Sequence, residues 1–419
     1  MLSSSKVKSR ILRGTKLDGG LTPNYTGLGL ANVIPTVCKI LGAPLNNQKP
    51  LMDDVVDYRE WKDIKEVVVF LADGLGYNEL LSEMKQQNLR LSSFKDDIKP
   101  LTSVCPSTTT TALASLATGL TPQEHSILGY KLFLKEFGLI SNMLSFAPIL
   151  GYVDFVGLGI DPYKFLGVDS VYRHMKMNGI ETNVIMPKTY KESAFTQMIY
   201  KHANLIGFPS YSKTFSKAAK IVKKRKNEKK RFTYIYSDIF DSQAHIHGVK
   251  TEETADIVKN IDRGLFHDFL DKIKKPDTLF IMTSDHGFVN IEPSENFFFH
   301  EHEDLMDMLT IPPSGEQRFS YLFVKNGRLD DVKDYVKKNL QKEAFAIESE
   351  KAIKMGLLGL NKPRKETLDR IGDLILIPKN HNSFTYAYTI EDILFKLKAN
   401  HGGLTEDEML VPFFMKRMG

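Results

Sequence analysis

Three apolar blocks, each closed by an aspartate, set the pattern of this chain. Residues 66–72 (Glu-Val-Val-Val-Phe-Leu-Ala) run into Asp73-Gly74. Residues 232–237 run into Asp238, with Asp241 close behind, and residues 278–284 run into Asp285-His286-Gly287. Apolar runs without polar alternation fit strands covered on both faces, as in a parallel sheet between helices. Ligands bind such sheets beyond the carboxyl ends of the strands, which is where these carboxylates fall. Helical patterns at 35–41, 77–86, 169–178, 215–224 and 251–274 supply the covering layers, and 181–186 reads as a further strand. Pro35 and Gly42 fit the start and stop of the first helix. Residues 1 to about 25 read as an extended or irregular lead-in.

After residue 288 the pattern changes. Strand-like 319–324 and 372–378 alternate with helical 329–340 and 350–356, and 409–415 reads as a closing strand. The expected fold class is α/β, a largely parallel central sheet flanked by helices, with a smaller α+β cap insertion. The expected division is a lead-in and helix packed on the core at 1–50, a catalytic α/β domain from 51–289 plus 399–419, and the cap insertion at 290–398. The aromatic- and glycine-rich stretch 132–168 is expected to wall the site, and about 131–168 to form the cap together with the insertion.

A second pattern lies at 104–119. Pro106-Ser107 is followed by four threonines, Thr108 to Thr111, and then by small and apolar residues ending at Thr118-Gly119. This predicts a loop delivering hydroxyls to the first turn of a buried helix, whose free N–H groups and partial positive charge suit an anion. A hydroxyl there can attack phosphorus if its proton is removed.

Composition narrows the partners. The chain has 419 residues, 42% hydrophobic and 26% charged, with a net charge of +5, ordinary for a globular enzyme and compatible with an anionic small substrate. The basic run 223–231 reads as a solvated helix end rather than a nucleic-acid site. Two cysteines, Cys38 and Cys105, make no disulfide framework, and the polar N-terminus is not a secretory signal. No apolar run has the length of a membrane span, and 146–171 is broken by Pro148, Asp154, Asp161, Pro162 and Lys164. A cytoplasmic location, with no membrane and no specific nucleic acid, is expected; the oligomeric state stays open.

The chemistry-bearing residues can now be gathered: Asp73, Asp241 with His245, Asp285 with His286, and His401 in the glycine loop before the last strand. Carboxylates and neutral imidazoles are ligands for zinc and similar ions. Asp241 and His245, four apart, share one face of a helical turn. Six ligands suit two cations with three protein ligands each, and a paired site can hold both the attacking and leaving oxygens of an in-line displacement. Each motif alone reads equally as a turn, a cap or a core helix; it is their joint occurrence that is specific.

In these motifs the sequence resembles the alkaline phosphatase superfamily, in particular the type I phosphodiesterase/nucleotide pyrophosphatase branch, over roughly residues 64–130, 232–290 and 398–415. The resemblance rests on Val-Phe-Leu-Ala-Asp-Gly, Pro-Ser-Thr-Thr-Thr-Thr-Ala, Thr-Gly-Leu-Thr-Pro-Gln-Glu-His, Asp-Ser-Gln-Ala-His, Thr-Ser-Asp-His-Gly and His-Gly-Gly. It implies Thr109 as nucleophile, with Thr108 and Thr110 as the register alternatives. It also implies one metal held by Asp73, Asp285 and His286 beside Thr109, and another by Asp241, His245 and His401, with Thr109 bridging toward both. Zinc is the usual metal, manganese or magnesium the alternatives. Asp238 and His125 are expected to be structural and His247 to stand outside the site. Where the family carries a phosphoryl-binding Asn, this chain has Tyr130, so Tyr130 and Lys131 are the expected substrate-binding donors. The expected reaction is hydrolysis of phosphoric diesters or nucleotide pyrophosphate bonds through a phospho-threonine. A phosphomonoesterase, a phosphonate hydrolase and a non-catalytic binding member are the alternatives. A sulfatase would want a Cys/Ser-x-Pro-x-Arg setting, which Cys105-Pro106 does not match, and a phosphomutase would want a Ser.

Overall fold

A computed structural model describes residues 1–14, 16–151, 153–226, 229–394 and 396–419. The apolar blocks pair side by side at the centre of a seven-stranded sheet. Its order is Lys99–Thr102, Leu410–Arg417, Thr278–Thr283, Glu66–Ala72, Arg231–Ser237, Glu181–Pro187 and Asn204–Phe208. Only Leu410–Arg417 runs against its neighbours. Every residue of Glu66–Ala72 is buried, as its unbroken Val-Val-Val-Phe-Leu run requires of a strand covered on both faces.

Register decides the site. Ala72 pairs with Ser237 and Leu71 with Thr283, so Asp73, Asp238 and Asp285 emerge at one level of one sheet edge. Asp238 opens the helix Ile239–His247, which carries Asp241 and His245 one turn apart. The Thr-rich stretch forms the helix Thr109–Thr118, buried throughout except at Thr109 and stopped by Gly119 at φ +72°.

A second, antiparallel sheet covers this edge, in the order Ala344–Glu348, Leu374–Pro378, Phe319–Leu322, Ser314–Glu316, Lys131–Leu134, Leu139–Asn142 and Ala147–Pro148. Part of it has a core of its own, in which Leu322, Leu374 and Leu376 pack with Val332 and Val336. The last three strands come from 131–148. The sheet therefore crosses the expected division at 290, because Lys131 bridges Gly315 directly.

Three local readings change. The expected irregular lead-in contains the helix Ser4–Leu12, which buries Val7 and Ile11 four residues apart on one face. The helix expected over 251–274 is an α-helix only over Glu252–Arg263, then a π turn and a short 3-10 turn to Lys272. Its widening begins at Gly264, which packs so closely on Phe215 that a Cβ would lie 2.7 Å from the ring. In the basic run 223–231, expected to be solvated, Arg225 and Arg231 are instead buried and pair with Glu66 at 3.1 and 2.7 Å, while Asn227 and Glu228 lie outside the described residues. Among the described residues, no helix is long and apolar enough to cross a membrane.

Candidate active site

Each histidine at the sheet edge is turned by a main-chain carbonyl. Nδ1 of His245 lies 3.0 Å from the Ala399 carbonyl, Nδ1 of His286 3.1 Å from that of Gly287, and Nδ1 of His401 3.2 Å from that of Ser107. A carbonyl only accepts, so Nδ1 carries the proton and each Nε2 keeps its lone pair. The three Nε2 atoms face carboxylates: His245 and His401 stand 3.6 and 3.7 Å from Asp241 Oδ1, and His286 stands 3.5 Å from Asp73 Oδ1 and 3.6 Å from Asp285 Oδ2. The rings of His286 and His401 stack with centroids 3.7 Å apart, joining the two halves of the cluster.

Asp73 and Asp285 are each held by one oxygen and left free at the other. Tyr236 donates to Asp73 Oδ2 at 2.5 Å, and the Gly74 and His286 N–H groups donate to Asp285 Oδ1 at 3.0 and 3.1 Å. Asp73 Oδ1, Asp241 Oδ1 and Asp285 Oδ2 are shut off from solvent without a hydrogen-bond partner among the described residues. Gly74 lets the carboxylates come together: its φ is +75°, and a Cβ there would lie 3.2 Å from the Asp241 Cα.

Electrostatics make this arrangement costly as it stands. Burial, then the charges of Asp285 and Asp241, push the Asp73 carboxyl well above the usual range; burial, then Asp285 and Asp238, do the same to Asp241. Burial pushes His245 down to about 4, against the pull of the Ala399 carbonyl, and pushes His401 well below the ordinary histidine value. Crowded carboxylates beside neutral imidazoles are what divalent cations relieve. Ligand atoms of Asp241, His245 and His401 lie within 4.8 Å of one another, as do those of Asp73, Asp241 and His286. The residues therefore suit divalent cations, with Asp241 common to both groups and Asp285 beside His286.

Thr109, the first residue of its helix, points its hydroxyl into this cluster, 3.2 Å from His286 Nε2. The other threonines do not cap the helix. Thr108 makes no side-chain cap and faces Glu316, and the Thr110 and Thr111 hydroxyls are buried without a partner among the described residues. Asp238 accepts from Tyr190 and Tyr211, both at 2.6 Å. His247 instead lies 3.6 Å from Glu253. His125 is buried, with Nε2 2.9 Å from the Ser115 hydroxyl.

A cavity of about 670 Å³ opens from the cluster, lined by Thr109, Asp241, His245 and His401 and, farther along, by Tyr130 and Lys131. Asn142 donates to the Tyr130 phenol at 2.6 Å, which leaves the phenol proton free for a substrate. Lys131 pairs with Asp392 at 2.6 Å. Sequence reasoning missed Glu316 on this wall, Tyr236 behind Asp73, and the carbonyls that orient the histidines. None has a local motif, although Tyr236 sits at a strand end beside a carboxylate cluster.

A family model described as type I phosphodiesterase / nucleotide pyrophosphatase matches residues 67–404. Among curated proteins none matches the chain in sequence. Among solved structures, the murine ectonucleotide pyrophosphatase / phosphodiesterase 5, as an inactive variant in complex with AMP, is similar at 15% identity and a TM-score of 0.61, over 83% of this chain and 87% of that one. The human ectonucleotide pyrophosphatase / phosphodiesterase 5 is similar at 16% identity and a TM-score of 0.60, over 83% and 87%. Phosphonoacetate hydrolase from Sinorhizobium meliloti 1021, in complex with phosphonoformate, is similar at 18% identity and a TM-score of 0.62, over 84% and 90%. At these identities the likeness is one of fold.

Proposed function

The chain belongs to the type I phosphodiesterase / nucleotide pyrophosphatase family, and on that premise we propose that it hydrolyses phosphoric diesters or nucleotide pyrophosphate bonds, with Thr109 as nucleophile and two divalent cations, zinc first, as cofactors. The carrying observation is the convergence of three Nε2 lone pairs and three unpartnered carboxylate oxygens on one side of the Thr109 hydroxyl. Asp73, Asp285 and His286 would hold one cation and Asp241, His245 and His401 the other. When bound, the cations supply a lowered hydroxyl pKa and charge for the attacking and leaving oxygens.

The chain's own residues do the rest. The start of the Thr109–Thr118 helix directs its free N–H groups toward the phosphoryl oxygens, and Tyr130 and Lys131 donate from the cavity wall. Thr109 Oγ loses its proton to solvent and forms a bond to phosphorus as the leaving oxygen departs. Water then cleaves the phospho-threonine. The buried Thr110–Thr118 face holds Thr109 in line, so that little ordering is left to the reaction itself. The substrate class is an anionic phosphate ester.

Rates on bis-p-nitrophenyl phosphate, p-nitrophenyl phosphate, a dinucleotide polyphosphate and phosphonoacetate test this reading in the cation-loaded protein. Turnover of the diester or dinucleotide that disappears in Thr109→Ala is the expected result. Cleavage of phosphonoacetate alone would instead make it a phosphonate hydrolase, and a Thr109→Ala protein as active as wild type would remove Thr109 from the chemistry.

A further inference from the structure

One carboxylate at the site has no part in holding cations. Glu316 ends the strand Ser314–Glu316 and lines the same cavity as Thr109. Three segments pin it, each next to a group placed at the reacting centre. The Tyr130 N–H donates to its Oε1 at 2.6 Å. The Thr108 side chain, adjacent to Thr109, lies within its hydrogen-bonding reach. Gly402, adjacent to His401, packs so close that a Cβ there would sit 3.0 Å from the Glu316 Cβ. An acid this near an anion-binding helix start is opposite in sign to what a phosphate site calls for.

Among the described residues Glu316 forms no ion pair, and the one cationic charge that acts on it is that of Lys131. Among the described residues that line the cavity, Lys131 is the one basic side chain apart from the histidines. That ammonium is already 2.6 Å from Asp392 and 5.0 Å from the centroid of the Tyr388 ring. Arg318, two residues on, is committed to Glu408 at 2.6 Å and to main-chain carbonyls. Tyr130 and Tyr321 face Glu316 as neutral phenols.

We propose that Glu316 is a specificity-determining residue: its carboxylate disfavours dianionic phosphate monoesters and leaves the site to the monoanionic phosphoryl groups of diesters and nucleotide anhydrides. The inference rests on the reading of Thr109 as nucleophile and deepens it by naming the charge of the accepted group. A monoester brings one more negative oxygen than a diester. In a recessed cavity of low effective dielectric, the extra repulsion from one fixed charge is worth on the order of tenfold in discrimination. The filter works by repelling the wrong substrate rather than by gripping the right one.

The test is the ratio of kcat/KM for p-nitrophenyl phosphate to that for bis-p-nitrophenyl phosphate at pH 8, above the value of about 7 to which burial pushes the Glu316 carboxyl. The ratio is insensitive to titrations that affect both substrates alike. Glu316→Gln, which keeps an acceptor for the Tyr130 N–H, and Glu316→Ser should each raise the ratio about tenfold, and Glu316→Asp should hold it near wild type. Two variants guard against one failing to fold. Calorimetric binding of p-nitrophenyl phosphate to the cation-loaded Thr109→Ala protein, with and without Glu316→Gln, reads the same filter without turnover and should tighten by a similar factor. An unchanged ratio with an unchanged affinity overturns the proposal. A wild-type protein that cleaves no diester overturns the reading of function instead, and the binding arm still decides the role of Glu316.

Discussion

Removing the Glu408 carboxylate should loosen the loop that carries His401. Arg318 and Glu408 form an ion pair whose side chains are both fully buried. Glu408 takes the Arg318 Nε–H at 2.6 Å and an Nη–H at 2.8 Å, and also accepts from the Gly403 N–H at 2.8 Å and the Thr405 hydroxyl at 2.7 Å. One side chain thus ties the cap, through Arg318, to residues 403–405 beside His401. Glu408→Ala leaves a buried guanidinium without its partner and strips the loop of its acceptor. Breaking a buried pair from one side costs about 3–5 kcal/mol, while replacing both partners, Arg318→Met with Glu408→Leu, should cost clearly less than the sum of the two single changes. Urea unfolding followed by circular dichroism reads the stability, and zinc titration of the folded variant reads the site, where affinity should fall. Burial alone would raise the Glu408 carboxyl, but the Arg318 charge and hydrogen bonds from Arg318, Thr405 and Gly403 hold it below the usual range. Its stabilisation is therefore present above the unfolded value of about 4.3 and is lost as pH falls through the lower folded value. A Glu408→Ala protein destabilised by less than about 1 kcal/mol, with wild-type zinc affinity, would show that the pair does not hold the loop.

Other expectations follow from the same geometry. Thr109→Ala should lower kcat on a diester by at least about a thousandfold without unfolding the protein; a loss under tenfold would disqualify it as nucleophile. Asp241→Asn and His401→Ala should each reduce tightly bound cation, measured by elemental analysis of dialysed protein. Because uncompensated carboxylates crowd the site, adding zinc to stripped protein should raise its melting temperature, and an unchanged melt would argue against cation binding there. Tyr130→Phe removes a phenol donor and should cut kcat/KM on the diester about tenfold, with little change in stability. Burial, then Arg364 and Arg370, push His125 down to about 3; a depressed folded value means stability is lost as pH falls below the unfolded value of about 6.5, and His125→Gln should flatten that slope.

Much of the scaffold was legible because its signals are local. A run such as Val67-Val68-Val69-Phe70 buries every side chain only as a central strand, and the turn after it must lie at the sheet edge. Asp73, Asp285 and His286 could be placed from that logic, and the spacing of four between Asp241 and His245 anticipated their shared helical turn. That 131–168 and the insertion build the cap together was legible, but their strand pairing was not. The hairpin over 131–148 meets the later strands edge to edge at Lys131 and Gly315, and that register is set by long-range pairing.

By itself, the sequence determined that strand ends would present Asp73, Asp285 and His286 together, since apolar continuity and turn chemistry act over a few residues. Tertiary structure alone decided how those side chains face. The carbonyls of Ala399, Gly287 and Ser107 choose the histidine tautomers, and Glu316 reaches the start of the Thr109 helix from more than two hundred residues away. Such contacts are made between segments brought together by packing, so a linear pattern carries no trace of them.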